Sequence, residues 1–185
     1  MIRRLSNASI KNAKGPFILL SFLLVLLFAL VLVPMVQSKL EASSGGTGFV
    51  DMLFSYAPET ANAMVGSYGD LGRALYLTFT STADMIYPVA YSIFFSLLLS
   101  WLLQRGFKSE SKWQLLNVIP FGVMAFDWLE NASLLILLSQ YPSRPFGVME
   151  FSSLCTTLKW CVGMLAILVV LLGFIKALTD GFKKR

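Results

Sequence analysis

The chain has no histidine. Imidazole metal sites and histidine acid–base catalysis are therefore excluded. It has only two cysteines, Cys155 and Cys161. Six positions apart on one predicted helix, they point to different faces and cannot bridge each other in a regular helix. There is no CxxC pair, so membrane thiol oxidoreductase chemistry is not expected, and two buried small thiols need no functional role. Charge is scarce, at 14% of residues, and acids are the rarer sign: ten against fifteen Lys and Arg, a net charge of +5. That balance would suit nucleic acid or an acidic partner if the bases were clustered on one surface. Most of them instead lie at the ends of apolar runs, where they set membrane topology. No nucleic-acid partner, cofactor or metal is expected, and no internal repeat is visible.

What is abundant is apolar: 56% of 185 residues, in long runs, with a mean hydropathy of +0.71. The class is a helical membrane protein of one domain. Residues 1–16 form a basic N-terminus with Arg3, Arg4, Lys11 and Lys14. Residues 17–38 hold the first span, whose apolar run Phe17 to Val33 stops at Pro34. Val36-Gln37-Ser38 loosely resembles a signal cleavage site, but the run with its flanks is long enough to cross and is read as retained. Residues 39–72 form an extracytoplasmic linker with one short helix. There Ser43 to Gly48 is flexible by composition, and Phe49 to Tyr56, apolar with one acid, Asp51, lies at the membrane surface. Pro58-Glu59 opens the short helix, which ends near Gly66 or Gly69, and Asp70 caps the next one.

Residues 73–178 form a three-span core. Its first helix runs from about Leu71 to Leu103, kinked at Pro88, and is longer than a ~30 Å hydrocarbon core requires. Spans follow from about Leu115 to Leu138 and from about Val148 to Leu178. Trp101 and Trp113 flank the loop between the first two of these. Residues 179–185 are a basic tail ending Lys183-Lys184-Arg185. The N-terminus, the Arg105–Lys112 loop and the tail are rich in Lys and Arg, whereas the other loops hold mainly Lys39 and Arg144. Both termini are therefore expected in the cytoplasm.

The polar residues inside the spans point to a site. Asp127, Glu130 and Asn131 share one helix face at i, i+3 and i+4. A carboxyl group at mid-span costs roughly 2.5–3.5 kcal/mol on insertion scales and must be paired, protonated or wetted. Lys159 falls at a similar depth to Asp127, on a face with Ser152, Cys155, Thr156 and Gly163, small residues that permit close helix approach. Asp84, Tyr87 and Tyr91 share a face nearer the outer boundary. Arg73 supplies a second base if its helix folds over the opening. A structural ion pair between Asp127 and Lys159 is the plainest reading of that couple. The sequon Asn131-Ala132-Ser133 lies inside a span and is not expected to be glycosylated.

Several stretches form one signature: Pro58-Glu59, Gly69-Asp70-Leu71-Gly72-Arg73, Tyr76, Asp84-Met85-Ile86-Tyr87-Pro88 with Tyr91, Pro120 with Asp127-Trp128-Leu129-Glu130-Asn131, and Thr157-Leu158-Lys159-Trp160. Together they resemble a family of small, mostly bacterial, four-helix integral membrane proteins of uncharacterised function. The resemblance covers roughly Asp51 to Leu172. It implies a membrane protein, in a bacterial inner membrane, and brings no known activity.

The fold expected is all-α: a four-helix transmembrane bundle with a short extracytoplasmic helix between spans one and two. The function expected is binding of a lipid or small amphiphile in a polar pocket open to the extracytoplasmic side. The pocket residues are Arg73, Asp84, Tyr87, Tyr91, Asp127, Glu130, Asn131 and Lys159, with Lys159 or Arg73 suited to an anionic group. Membrane lipids, a small amphiphilic ligand and a second copy of the chain are the partners considered. Three alternatives stay open: a membrane-embedded acid–base enzyme, a proton- or cation-coupled transport subunit, and a structural scaffold. No catalytic residue is assigned.

Overall fold

The computed structural model describes residues 1–143 and 145–183. Arg144 of the expected outer loop and Lys184 and Arg185 of the basic tail lie outside them. Among the described residues the chain is helical and contains no strand. Four stretches are long and apolar enough to cross a membrane: Gly15–Ser44, Gly69–Gly106, Lys112–Ser139 and Val148–Thr179. Leu19, Leu20, Leu23, Leu165, Ile167 and Leu168 are exposed on the first and last of them. Apolar helices that bury so little of themselves suit lipid, and they support an integral, multi-pass membrane protein.

The first span does not stop at Pro34. It comprises α2 (Gly15–Leu27), a π-helical turn (Phe28–Leu32) and α3 (Val33–Ser44). The π turn explains how the chain passes the proline. Val33 N–H bonds the Phe28 carbonyl, five residues back, so the register shifts just before the pyrrolidine ring would meet the previous turn. α3 ends at Gly45, whose φ of +69° is left-handed, and Gly46 N–H closes onto the Glu41 carbonyl at 2.9 Å.

The stretch 43–48 is a hydrogen-bonded turn rather than a loose linker. Thr47 N–H donates to Ser44 Oγ at 3.0 Å, and Tyr68 O–H donates to the Gly48 carbonyl at 2.8 Å. Phe49 and Val50 are buried, not spread on a surface. Phe49 packs against Phe79 and Tyr76, with ring centroids 5.4 and 4.8 Å apart, and a 3₁₀ turn (Val50–Met52) follows. The expected short helix is α4 (Pro58–Ser67), with proline in its first turn.

The second span is two helices, α5 (Gly69–Ser81) and α6 (Ala83–Gly106), parted at Thr82 (φ −123°, ψ −88°), with Pro88 inside α6. The cause lies in the Thr80-Ser81-Thr82 run. Ser81 O–H returns to the Thr78 carbonyl at 3.1 Å and Thr82 O–H reaches the same carbonyl at 2.5 Å, competing with the backbone ladder. Asp70 does not cap α5; it lies inside the first turn. Gly72 of α5 is pressed against α3, where an added Cβ would meet Ser43 Oγ at 2.7 Å.

The third span begins as a 3₁₀ stretch (Lys112–Val118), and α7 (Ile119–Ser139) starts at Ile119, again with proline in its first turn. α8 covers Val148–Lys183. α6, α7 and α8 pack on one another, the first span packs along α5 and α6, and α5 reaches α7.

The basic N-terminus holds one element that its composition does not announce, α1 (Ile2–Asn12). It folds back on α6 and the 3₁₀ stretch. Its serines are buried there: Ser96 O–H donates to Ser9 Oγ at 2.7 Å, and Asn117 Nδ2 donates to the Ser6 carbonyl at 3.1 Å and to Ser100 Oγ at 2.7 Å.

Candidate functional site

Asp127, Glu130 and Asn131 lie on the face of α7 that meets α6 and α8. Glu130 and Asn131 are fully buried. By helical rise, Asp127 is about 12 Å from the start of α7 and about 18 Å from its end.

Lys159 of α8 faces this row. Its ammonium lies 2.6 Å from Glu130 Oε2 and 3.6 Å from Asp127 Oδ1, and it donates to the Asp51 carbonyl at 3.4 Å. The closer ionic partner is thus Glu130 rather than Asp127. The 3.6 Å approach to Asp127 is an ionic contact rather than a hydrogen bond. Thr156, one turn before Lys159, donates its hydroxyl to Glu130 Oε1. Ser152, Cys155 and Thr156 are buried on this face. Gly163 is not a point of close approach, since a Cβ there would meet nothing within 4 Å.

α6 contributes Asp84, Tyr87 and Tyr91 from one face. Tyr91 O–H donates to Asp127 Oδ2 at 2.8 Å. Tyr87 stacks on Phe28 of the first span, with centroids 5.1 Å apart, and meets Tyr91 edge-on at 5.4 Å. Pro88 sets the backbone here. It lacks the N–H that would bond the Asp84 carbonyl, and Asn131 Nδ2 takes that carbonyl at 2.9 Å. Trp128 Nε1 donates to the next carbonyl, that of Met85, at 3.0 Å. Asp84 is 7% exposed, and its buried carboxyl oxygen Oδ2 has no hydrogen-bond partner.

The 49–56 segment brings further groups. Asp51 accepts from Tyr76 O–H at 2.5 Å. Tyr56 N–H donates to Ser153 Oγ at 3.0 Å, and its phenol donates to Ser152 Oγ at 2.8 Å, which fastens the segment to α8. Burial pushes the Tyr56 phenol up to about 12, against the opposing pull of the Ser152 and Thr156 hydroxyls. Burial, and then the Asp51 charge, hold the Tyr68 phenol above its ordinary value as well. Both phenols are therefore neutral donors at physiological pH.

These elements enclose a cavity of about 380 Å³. Its polar lining is Asp51, Asp84, Tyr87, Tyr91, Asp127 and Lys159. Val25, Phe49, Phe79, Phe95, Val123 and Trp160 are among its apolar walls. Five of the eight residues expected from sequence line it. Glu130 and Asn131 stand behind that wall, the first holding Lys159 and the second holding the Asp84 backbone.

Arg73 is not brought to the cavity. It pairs with Asp70, lies 4.1 Å above the Tyr141 ring and donates to the Val65 carbonyl at 3.3 Å.

Asp51, Tyr56 and Trp160 are not among the pocket residues expected from sequence, although Trp160 belongs to the Thr157-Leu158-Lys159-Trp160 stretch. Asp51 carried a usable signal, as the single acid in an otherwise apolar stretch. Four carboxyl groups, Asp51, Asp84, Asp127 and Glu130, thus gather around one ammonium, that of Lys159. Asp51, Asp127, Lys159 and Glu130 all act electrostatically on Asp84. Compared with known proteins, the chain matches no family model, no curated protein and no solved structure.

Proposed function

We propose that this chain is a membrane-embedded binding protein, whose cavity takes the polar head of a lipid or small amphiphile from the extracytoplasmic side. The observation that carries the reading is Asp84: a residue on the wall of a cavity large enough for a ligand, whose buried carboxyl oxygen Oδ2 has no partner. A buried polar atom left unpaired costs about 1–3 kcal/mol, more for a charge. A ligand that supplies the missing partner recovers that cost. The apolar walls suit a hydrocarbon tail.

The Lys and Arg distribution supports an orientation with both termini in the cytoplasm, here of a bacterial inner membrane. In that orientation α4 and the 45–56 segment lie on the outer side, and Phe49, Asp51 and Met52 of that segment line the pocket. Glu130 faces Lys159 and not the cavity, which favours a supporting role for that pair and reserves ligand contact for Asp84, Asp51 and Asp127.

The test is mass spectrometry of molecules that co-purify with the full chain. Val123→Trp fills the cavity from α7, while Arg73→Gln alters a charge outside it. The reading expects a compound present in the wild type and in Arg73→Gln and depleted in Val123→Trp. Equal recovery from all three, with all three folded, would refute it.

A further inference from the structure

The cavity's chemistry goes beyond "polar head" and, resting on the pocket reading above, specifies a charge. Three independent observations bear on it. First, the one ammonium at the cavity is engaged. Lys159 is ion-paired with Glu130 at 2.6 Å, lies 3.6 Å from Asp127 and donates to the Asp51 carbonyl at 3.4 Å, so its charge is already balanced by carboxyl groups of the chain before a phosphate, sulfate or carboxylate arrives. Arg73, the other candidate for an anion, is held elsewhere by Asp70 and Tyr141. Second, the carboxyl groups are in excess. Asp84 lines the cavity and its buried Oδ2 has no hydrogen-bond partner, and Asp51 lines the same cavity with a single phenol donating to it. Third, the remaining wall is rich in rings: Phe49, Phe79, Tyr87, Tyr91 and Trp160. Aromatic faces attract organic cations and are the usual lining of quaternary-ammonium sites. An anionic head would meet carboxylates with no free base. An uncharged head would suit only a protonated Asp84, whereas a cation pairs with the ionised group.

We propose that the cavity binds an organic ammonium carrying an apolar chain, with Asp84 and Asp51 as its counter-ions and Tyr87, Tyr91 and Trp160 as its ring walls. Two sources share this chemistry: a free amphiphilic amine, and the choline-type end of a zwitterionic lipid. The latter also carries a phosphate, for which the cavity has no free base, so the free amine is the expected source.

The experiment titrates four water-soluble probes with one chain length into the full chain in lipid nanodiscs at pH 7, with empty nanodiscs as the blank. The probes are hexyltrimethylammonium, hexanol, hexyl sulfate and hexylphosphocholine. The expected order is the ammonium at least tenfold tighter than hexanol, with hexyl sulfate weakest. Asp84→Asn should cut the preference of ammonium over hexanol to less than threefold. Hexylphosphocholine binding at least tenfold more weakly than the ammonium assigns the site to a free amine; equal binding assigns it to a lipid headgroup. Either keeps the ammonium proposal.

Hexanol binding as tightly as the ammonium, and losing its affinity in Val123→Trp, would overturn the charge assignment and leave the pocket standing. Binding of every probe unchanged by Val123→Trp, or no saturable binding of any, would overturn the pocket reading and the charge assignment together. The head-charge comparison in the wild type decides the question even if Asp84→Asn does not fold.

Discussion

Replacing Lys159 by Met removes the ammonium that lies 2.6 Å from Glu130 and leaves a fully buried carboxyl group behind. Removing one partner of a buried pair costs about 3–5 kcal/mol, because the survivor is stranded. Glu130 would keep the Thr156 hydroxyl, so the lower end, about 3 kcal/mol, is expected. Asp127 would lose only a 3.6 Å contact and keep Tyr91. This difference between the two acids can be measured. Adding Glu130→Gln to Lys159→Met removes both charges of the closer pair and should bring stability back to within about 1 kcal/mol of wild type. Adding Asp127→Asn instead should leave the loss near 3 kcal/mol, because Glu130 is still stranded. The assay is reversible unfolding in mixed micelles followed by tryptophan fluorescence, read as a double-mutant cycle. Rescue by Asp127→Asn without rescue by Glu130→Gln would refute the pairing. So would a Lys159→Met protein as stable as wild type.

Three further outcomes follow from particular atoms. Asn131→Leu strips the donor from the Asp84 carbonyl and should cost about 1–3 kcal/mol; Pro88→Ala in that background restores a backbone N–H at the same carbonyl and should recover part of the loss, as micellar unfolding would show. The raised phenol of Tyr56 means that the fold favours its neutral form, so the associated stability is full below pH 10 and is lost as pH rises towards about 12. The wild type should therefore lose on the order of 2–3 kcal/mol more than Tyr56→Phe between pH 10 and 12, and parallel profiles for the two proteins would sink this reading. In a cysteine-free background, a membrane-impermeant maleimide added to spheroplasts should label Thr60→Cys and spare Ser109→Cys; both positions are exposed in the fold, and the reverse pattern would invert the proposed orientation.

The helices were legible because hydrophobic run length is a one-dimensional property. The four spans, α4 and the shared face of Asp84, Tyr87 and Tyr91 all follow from counting along the chain. What did not follow depends on a partner far away in sequence. Pro34 reads as a stop until a π turn one residue earlier absorbs it. The break at Thr82 arises from hydroxyls that return to a carbonyl one turn back, a competition that a proline rule does not include. α1 looks like a charged tail until Ser6 and Ser9 are seen against Asn117 and Ser96. In the site, depth matching on separate helices placed Lys159 near Asp127, but one turn of α7 decides between Asp127 and Glu130, and depth alone cannot resolve one turn. Arg73 was drawn to the site by charge balance. Locally it has Asp70 at i−3 and the Tyr141 ring, and short-range partners win over a distant acid excess.

That excess is what gives the polar atoms of this fold two distinct destinies. Most are spent on one another: Glu130 on Lys159 and Thr156, Asn131 on the carbonyl that Pro88 releases, Tyr56 on Ser152, and Asp127 on Tyr91. Each of these ties two segments together, although Asn131 Oδ1 is itself buried without a hydrogen-bond partner. Asp84 differs. It lines the cavity, its backbone carbonyl is satisfied by Asn131 and so fixes where the residue stands, and its buried Oδ2 is left unpaired. A clamped backbone and an unsatisfied carboxyl group are what the proposed ligand would need of this residue. The 49–56 segment then closes around that group, bringing Asp51 as a second acid and Phe49 as a ring wall, while Lys159 stays occupied with Glu130. If the cavity were only a packing defect, exchanging Asp84 for Asn would be neutral or stabilising and would not alter which head charge the protein prefers.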